Sequence, residues 1–507
     1  MSRDVGRIEF GDFQTPVELA RQVCALIYSS GFRPATILEP TCGIGAFVQA
    51  SLKSFPNAKR VIGFDLNPHY VERARANLNR DDLPKYAKVR IGDFYDIDWE
   101  KITLESPQPL LILGNPPWVT NATLGSIRGT NAPRKTNVDN LRGIDAITGK
   151  SNFDISEWML RQNLIWLNGK HGMLAVLCKT AVARKVLAFA WAQAMQLASA
   201  SIYRIDSKKH FDVSVDACLL IIELFPESTS RECLKFSSLE GRKPISMLGT
   251  RHGRLVADVA RCDQWEQLWS KNLRGWRSGV KHDLAEVFEL TALEQHRYLN
   301  GSNETVRLEP EVVFPLLKSS DLASRRKHRK WVLLPQRSTS EPPSRMRITA
   351  PHAWSYLLRH ASAIEKRRSI VYRKRPPFSI FGIGDYSFAP WKIAVSGLYK
   401  KLEFVLISPV GDKPVMLDDT CYFFPCESKQ EAGLLLEMLA SQPAREFLSA
   451  HIFWDSKRPI TAKLLNSLDL LALSGVLGLS NAPVQSLIAK QRSTKSNPNP
   501  QQCLFEE

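Results

Sequence analysis

The chain has 507 residues, 44% of them hydrophobic and 23% charged, with 27 Gly and 30 Pro. At roughly 100–200 residues per domain this length holds two to four domains with sizeable cores, and the composition excludes a disordered, fibrous or small disulfide-stapled protein. Its 68 Lys and Arg outweigh 51 Asp and Glu, and the surplus of +17 is uneven: residues 1–240 carry 29 basic and 25 acidic side chains, whereas 318–375 carry 16 basic against Asp321, Glu341 and Glu365. A cationic segment that dense points to a polyanionic partner; the alternative is a merely solvated basic face.

The first residues, with Arg3, Asp4, Arg7, Glu9 and Asp12, contain no apolar stretch, so no secretory signal is read and a cytoplasmic protein is expected. A helical period at 16–28 precedes seven short apolar, β-branched runs, which predict strands at 36–39, 60–65, 88–91, 110–113, 172–178, 201–206 and 217–224. Helical patterns at 68–79 and 153–167 fill gaps between them, so the region is expected to be α/β with crossover helices. The last two runs leave no room for a crossover helix and predict an antiparallel last strand. The uncharged run between Lys185 and Arg204 contains Gln193 and Gln196 and reads as a buried helix, not a membrane span. A polar stretch at 226–243 reads as a linker between a first domain at 1–240 and a second at 245–482, and the Ser-, Gln-, Asn- and Pro-rich tail at 483–507 is expected to be flexible. The nine Cys and ten His lack ligand spacing, so neither a metal site nor a disulfide framework is expected.

Chemistry concentrates in four places. Gly43 and Gly45 in TILEPTCGIGAF follow the first predicted strand, where glycine lets the backbone turn sharply and approach a ligand. The second strand ends at Asp65 in VIGFDLNP, a carboxylate suited to ribose hydroxyls, and Asp93-Phe94 in IGDF could hold and cover an adenine ring. The fourth strand runs into Asn115-Pro116-Pro117-Trp118, in which two prolines stiffen the backbone behind an amide and a flat indole, a device for holding a planar amine. Taken alone, a GxG loop or a Pro-Pro-aromatic turn is commonly just a turn; here both are expected at one crevice, where the strand order reverses.

In motif order, FQTP, EPTCGIG, GFDLNP, IGDF, NPPW, SNFDISEWM and HFDVSVDACLLIIEL, spanning residues 10–225, resemble the gamma-class, TaqI-type S-adenosylmethionine-dependent DNA adenine-N6 methyltransferases of type II restriction-modification systems. The departures are small: many relatives have Tyr or Phe where Trp118 stands, and Thr41-Cys42 varies among them. The resemblance implies a class I, Rossmann-like catalytic domain with a seven-stranded sheet, followed by a basic α+β target-recognition domain. It implies that Thr15, Glu39, Gly43, Gly45 and Phe47 surround the methionine and sugar of the cofactor, that Asp65 binds ribose and Asp93 adenine, and that Thr41, Cys42, Leu66, Phe94 and Asn115 complete the cofactor set. Catalysis would fall to Asn115, Pro116, Pro117 and Trp118, with Trp118 and Phe211 sandwiching a flipped adenine; the alternative for Phe211 is a strand-end core aromatic. Double-stranded DNA is the implied substrate and a separate restriction endonuclease the functional partner. Arg128, Arg134 and Lys135, with Arg325, Arg326, Lys327, Arg329, Lys330, Arg367, Arg368, Arg373, Lys374 and Arg375, are the expected DNA contacts. Competing readings are a methyltransferase of RNA or of a protein glutamine amide, and a fused nuclease built on Asp455-Ser456-Lys457.

Overall fold

The computed structural model describes residues 13–78, 84–119, 154–270, 275–326, 330–373 and 375–493. The chain divides into two compact units, Met1–Val259 and Ala260–Glu507.

In the first unit, β1 (Thr36–Glu39), β2 (Arg60–Asp65), β3 (Ala87–Ile91), β4 (Leu110–Gly114), β5 (Gly172–Lys179), β6 (Leu197–Ile205), β7 (Ala217–Leu224), β8 (Glu232–Phe236), β9 (Ser246–Arg251) and β10 (Arg254–Val256) make one sheet, ordered β10-β9-β8-β6-β7-β5-β4-β1-β2-β3. The neighbours from β5 to β3 pair in parallel, and β7 runs antiparallel to both β5 and β6. Every residue of β1 and β4 is buried, as parallel strands covered on both faces require. On one face, Leu19, Val23 and Ile27 of helix Val17–Ser29 and Phe47 of helix Ala46–Ser54 pack with Ile37, Leu111 and Leu113 of the sheet.

All seven predicted strands are present and adjacent, but the sheet has ten strands, not seven. The segment read as a linker contains β8, which pairs in parallel with β6. Its Cys233 and Phe236, three residues apart and so on opposite faces of the strand, are both buried while Glu232 and Leu234 stay exposed, a short pattern hidden between polar flanks. The unit boundary therefore falls after Val259 and not at 240–245. The uncharged run also differs from its reading: it divides between helix Thr180–Ala192 and strand β6, the chain turning at Ala194, whose φ is 50°. Beyond the turn, β6 pairs antiparallel with β7 and buries Leu197, Ala200, Ile202 and Ile205. Among the described residues no helix is long and apolar enough to cross a membrane.

The second unit combines helices with two sheets. Arg277–Ser278, Cys421–Cys426, Trp391–Ser396 and Phe404–Ile407 form a four-stranded antiparallel sheet, and a six-stranded sheet is centred on Glu289–Ala292, Lys330–Leu333 and Val313–Leu317. Helices Lys429–Ala440 and Gln442–His451 share a core with Ile393, Val395 and Phe424 of the smaller sheet. The tail expected to be flexible begins instead with helix Asn481–Ser493, which buries Val484, Leu487 and Ile488 in the same core. That apolar trio at i, i+3 and i+4 is the helical signature that the surrounding Ser, Gln and Asn conceal. Leu487 is 1% exposed, so Leu487→Ala is expected to lower unfolding stability by about 2–5 kcal/mol. An unchanged denaturation midpoint would mean that this segment does not pack.

Candidate active site

The carboxyl ends of β1, β2, β3 and β4 meet where the strand order reverses between β1 and β4, the place where open sheets of this kind bind ligands. An open cavity of about 950 Å³ lies there, lined by Thr15, Glu39, Thr41, Cys42, Gly43, Asp65, Leu66, Asp93, Phe94, Asn115 and Pro117, all of them singled out in the sequence. The glycine loop is shaped by one carboxylate: Asp65 Oδ2 accepts from the Gly43 N–H at 2.8 Å and Oδ1 from the Asn67 N–H at 2.9 Å. Gly43 has φ 50°, and a Cβ on it would collide with Gln14 Oε1, which itself accepts from the Ile44 N–H at 3.1 Å.

Gly45 and Phe47 do not line this cavity. Gly45, at φ 83°, lets Ala74 of helix Pro68–Asn77 come close, since a Cβ would stand 3.0 Å from the Ala74 Cβ. Phe47 is a core residue, 1% exposed. Both pack helices against their neighbours.

Glu39 is buried at the end of β1 and accepts from the Val48 N–H at 3.0 Å. Burial, reinforced by the neighbouring Asp65 charge, pushes its carboxyl well above the ordinary range against the opposing Val48 hydrogen bond. The same burial, with Glu39 and Asp65 beside it, pushes the Cys42 thiol up. The cavity therefore holds an acid that favours its neutral form and that a cationic ligand group would ionise.

Asn115 is fixed by a contact that settles which way its amide faces. Nδ2 donates to the Phe13 carbonyl at 2.9 Å, an acceptor that only the nitrogen end can satisfy. Oδ1 is left buried with no hydrogen-bond partner among the described residues. Pro117 lines the cavity beside it. Trp118, 6% exposed, donates from Nε1 to the Leu177 carbonyl at 3.3 Å and meets the Phe211 ring edge-on, centroids 5.2 Å apart and planes at 67°. A base between parallel rings needs plates about 7 Å apart, twice a contact distance of about 3.5 Å. Trp118 and Phe211 are thus brought together, but as a closed pair in the core and not as a slot; the predicted sandwich is absent from this conformation.

Gln14, Tyr95, Ile155 and Met159 also line the cavity and were given no role from sequence. Ile155 and Met159 lie one turn apart on helix Ile155–Leu167, a spacing already present in SNFDISEWM.

In the second unit, Arg325, Arg326, Lys330, Arg368, Arg373 and Arg375 are exposed. Arg367 is not a free surface cation: Nε donates to the Ile364 carbonyl at 3.0 Å, Nη1 donates to the His282 and Ser379 carbonyls at 3.1 and 2.9 Å, and the guanidinium lies 3.6 Å from the Tyr372 ring centroid. It ties loops together, which corrects its assignment as a DNA contact. Arg128, Arg134, Lys135, Lys327, Arg329 and Lys374 lie outside the described residues. Among the described residues no cluster of three His, Cys, Asp or Glu could hold a metal, at Asp455 or elsewhere.

A type II methyltransferase, M.NspV of Nostoc sp. (strain ATCC 29411 / PCC 7524), is 42% identical to this chain over 477 residues, 93% of this chain and 98% of the relative. The chain belongs to the type II methyltransferases. A second member, M.CvrRI of Paramecium bursaria Chlorella virus XZ-6E, is 34% identical over 119 residues, 23% of this chain and 27% of its own. Among solved structures, the type IIL restriction-modification enzyme MmeI in complex with DNA is similar in fold, with a TM-score of 0.52 and 11% identity across 98% of this chain and 74% of that one. No protein-family model matches the chain.

The raised Glu39 carboxyl makes a pH prediction for this methyltransferase. Above the ordinary carboxylate value of 4.5 the unfolded chain releases the proton that the folded chain keeps, so the ligand-free protein loses stability as pH rises toward the folded value. Glu39→Gln removes that loss, and its Tm advantage over wild type should grow as pH climbs from 4.5 toward 8. A difference that does not change with pH would show that Glu39 is ionised in the folded protein.

Proposed function

We propose that this type II methyltransferase transfers the methyl group of S-adenosylmethionine to adenine N6 in double-stranded DNA, at a base flipped out of the helix, and thereby protects the DNA from a separate restriction endonuclease. The observation that carries the reading is the Asn115 carboxamide, held by its nitrogen on Phe13 with its oxygen buried and unpaired beside the cavity. An unpaired buried acceptor costs about 1–3 kcal/mol, and a donor from a substrate relieves it. An adenine amine offers two N–H donors.

The donor set fits the cofactor. The loop at Thr41, Cys42 and Gly43 with Glu39 would hold the methionine and sugar parts, Asp65 is already oriented for ribose by two backbone N–H groups, and Asp93 and Phe94 would take the adenine. When bound, S-adenosylmethionine supplies an activated methyl group. Asn115 Oδ1 and the Pro116 carbonyl then accept the two N6 hydrogens and draw them out of the ring plane. This localises the nitrogen lone pair, which conjugation otherwise spreads into the ring, so no general base is needed before attack. Prolines at 116 and 117 hold φ near −65° and keep both acceptors in register, an orientation effect.

Flipping a base costs a few kcal/mol, and stacking on an aromatic ring returns about 1–3 kcal/mol per contact. Trp118 would supply one such contact once Phe211 withdraws from it. The exposed arginines of 318–375 supply the sequence-independent grip on phosphate.

Labelled cofactor offered to duplex DNA, RNA and protein should label DNA, with N6-methyladenine recovered after digestion; label on RNA or on a glutamine amide would replace this reading. Asn115→Ala should keep cofactor affinity while methyl transfer falls on the order of 10²-fold or more. Full turnover by that variant would contradict the role of Oδ1. Arg325→Ala and Arg326→Ala should each lower the slope of log affinity against log salt by about 1, without changing the preferred site.

A further inference from the structure

Lys179 is the last residue of β5, and its ammonium joins the turn that follows β4 to the start of helix Ile155–Leu167. It donates to the Trp118 carbonyl at 2.9 Å and to Asp154 Oδ2 at 2.8 Å. The first acceptor belongs to the turn that carries Asn115. The second belongs to the residue that caps helix Ile155–Leu167, where Asp154 Oδ1 accepts from the Ser156 N–H at 3.1 Å and its hydroxyl at 2.6 Å. Alongside, the Ile155 N–H donates to the Val119 carbonyl at 3.0 Å. Ile155 and Met159 of that helix line the cavity.

We infer that Lys179 is a positioning residue for methyl transfer: one ammonium registers the amine-binding turn against the helical wall of the cofactor cavity. The inference rests on the function proposed above. The two prolines leave the turn few soft torsions, chiefly ψ of each residue and the rotation at Trp118. Trp118 is held twice from β5, at its indole by the Leu177 carbonyl and at its own carbonyl by Lys179. Removing the ammonium frees the end of the turn, and the Pro116 carbonyl and Asn115 Oδ1 lose their common aim. A misplacement of about 1 Å in such a site can cost on the order of 10²-fold in rate. Lys179 reaches neither the cavity lining nor a reacting atom, so it acts through Trp118 and Asp154.

The test compares Lys179→Met, Lys179→Arg and Asp154→Asn with wild type in single-turnover methylation of duplex DNA, alongside cofactor Kd, DNA KM and Tm. Lys179→Met keeps the aliphatic stem and removes the donors; its rate constant should fall about 10- to 100-fold while cofactor Kd and DNA KM move by less than about threefold. Lys179→Arg, which can donate to both acceptors, should recover most of the rate. Asp154→Asn, which still caps the helix, should lose less than Lys179→Met. A wild-type rate in Lys179→Met overturns the inference, as does an equal loss in Met and Arg variants that tracks a fall in Tm, the mark of a purely structural ion pair. If wild type methylates no adenine, the proposed function fails instead, and the same ranking is read on whichever amine accepts the label.

Discussion

Phe13 and Asn115 are separated by 102 residues, yet the site depends on their single hydrogen bond of 2.9 Å. A backbone carbonyl can only accept, so it compels the Asn115 nitrogen to face it and leaves the oxygen buried on the other side of the amide. The sheet makes the meeting possible: β4 delivers Asn115 next to β1, and the segment leading into helix Val17–Ser29 passes over that gap. Asp65 performs the equivalent task on the neighbouring strand, its two oxygens closing the glycine loop and holding the Asn67 backbone. What belongs to a ligand in this cavity is thus fixed by protein groups beforehand, which is how preorganised sites reduce the cost of binding and alignment.

The electrostatic design follows from depth. Glu39 sits at the floor, where burial favours the neutral acid, whereas Asp65 is oriented by backbone N–H groups nearer the rim. A ligand bearing a positive group near Glu39 and hydroxyls near Asp65 gains from both, and ionising Glu39 on binding couples ligand capture to proton release.

Much of this was legible in the chain because the central strands are buried on both faces and read as unbroken apolar runs; β1, β2 and β7 have the predicted limits. The residues at the strand ends were legible because glycine, aspartate and Asn-Pro-Pro carry local constraints. What stayed hidden depends on partners distant in sequence. β8 is five residues with two buried side chains that become a strand only beside β6, and in helix Asn481–Ser493 the core residues Val484, Leu487 and Ile488 stand among polar ones. Arg367 looks like its basic neighbours until the carbonyls of His282 and Ser379 surround it. Trp118 and Phe211 do meet, but as an edge-on pair whose angle is a packing outcome that composition does not encode.

The most direct measurement is a structure of the protein with duplex DNA and a non-reactive analogue of S-adenosylmethionine. The predicted result is an extruded adenine whose N6 lies within hydrogen-bond distance, about 3 Å, of Asn115 Oδ1, with Phe211 moved away from Trp118. An adenine still stacked in the duplex, or an extruded base bound away from Asn115 while Oδ1 stays unpaired, would contradict it.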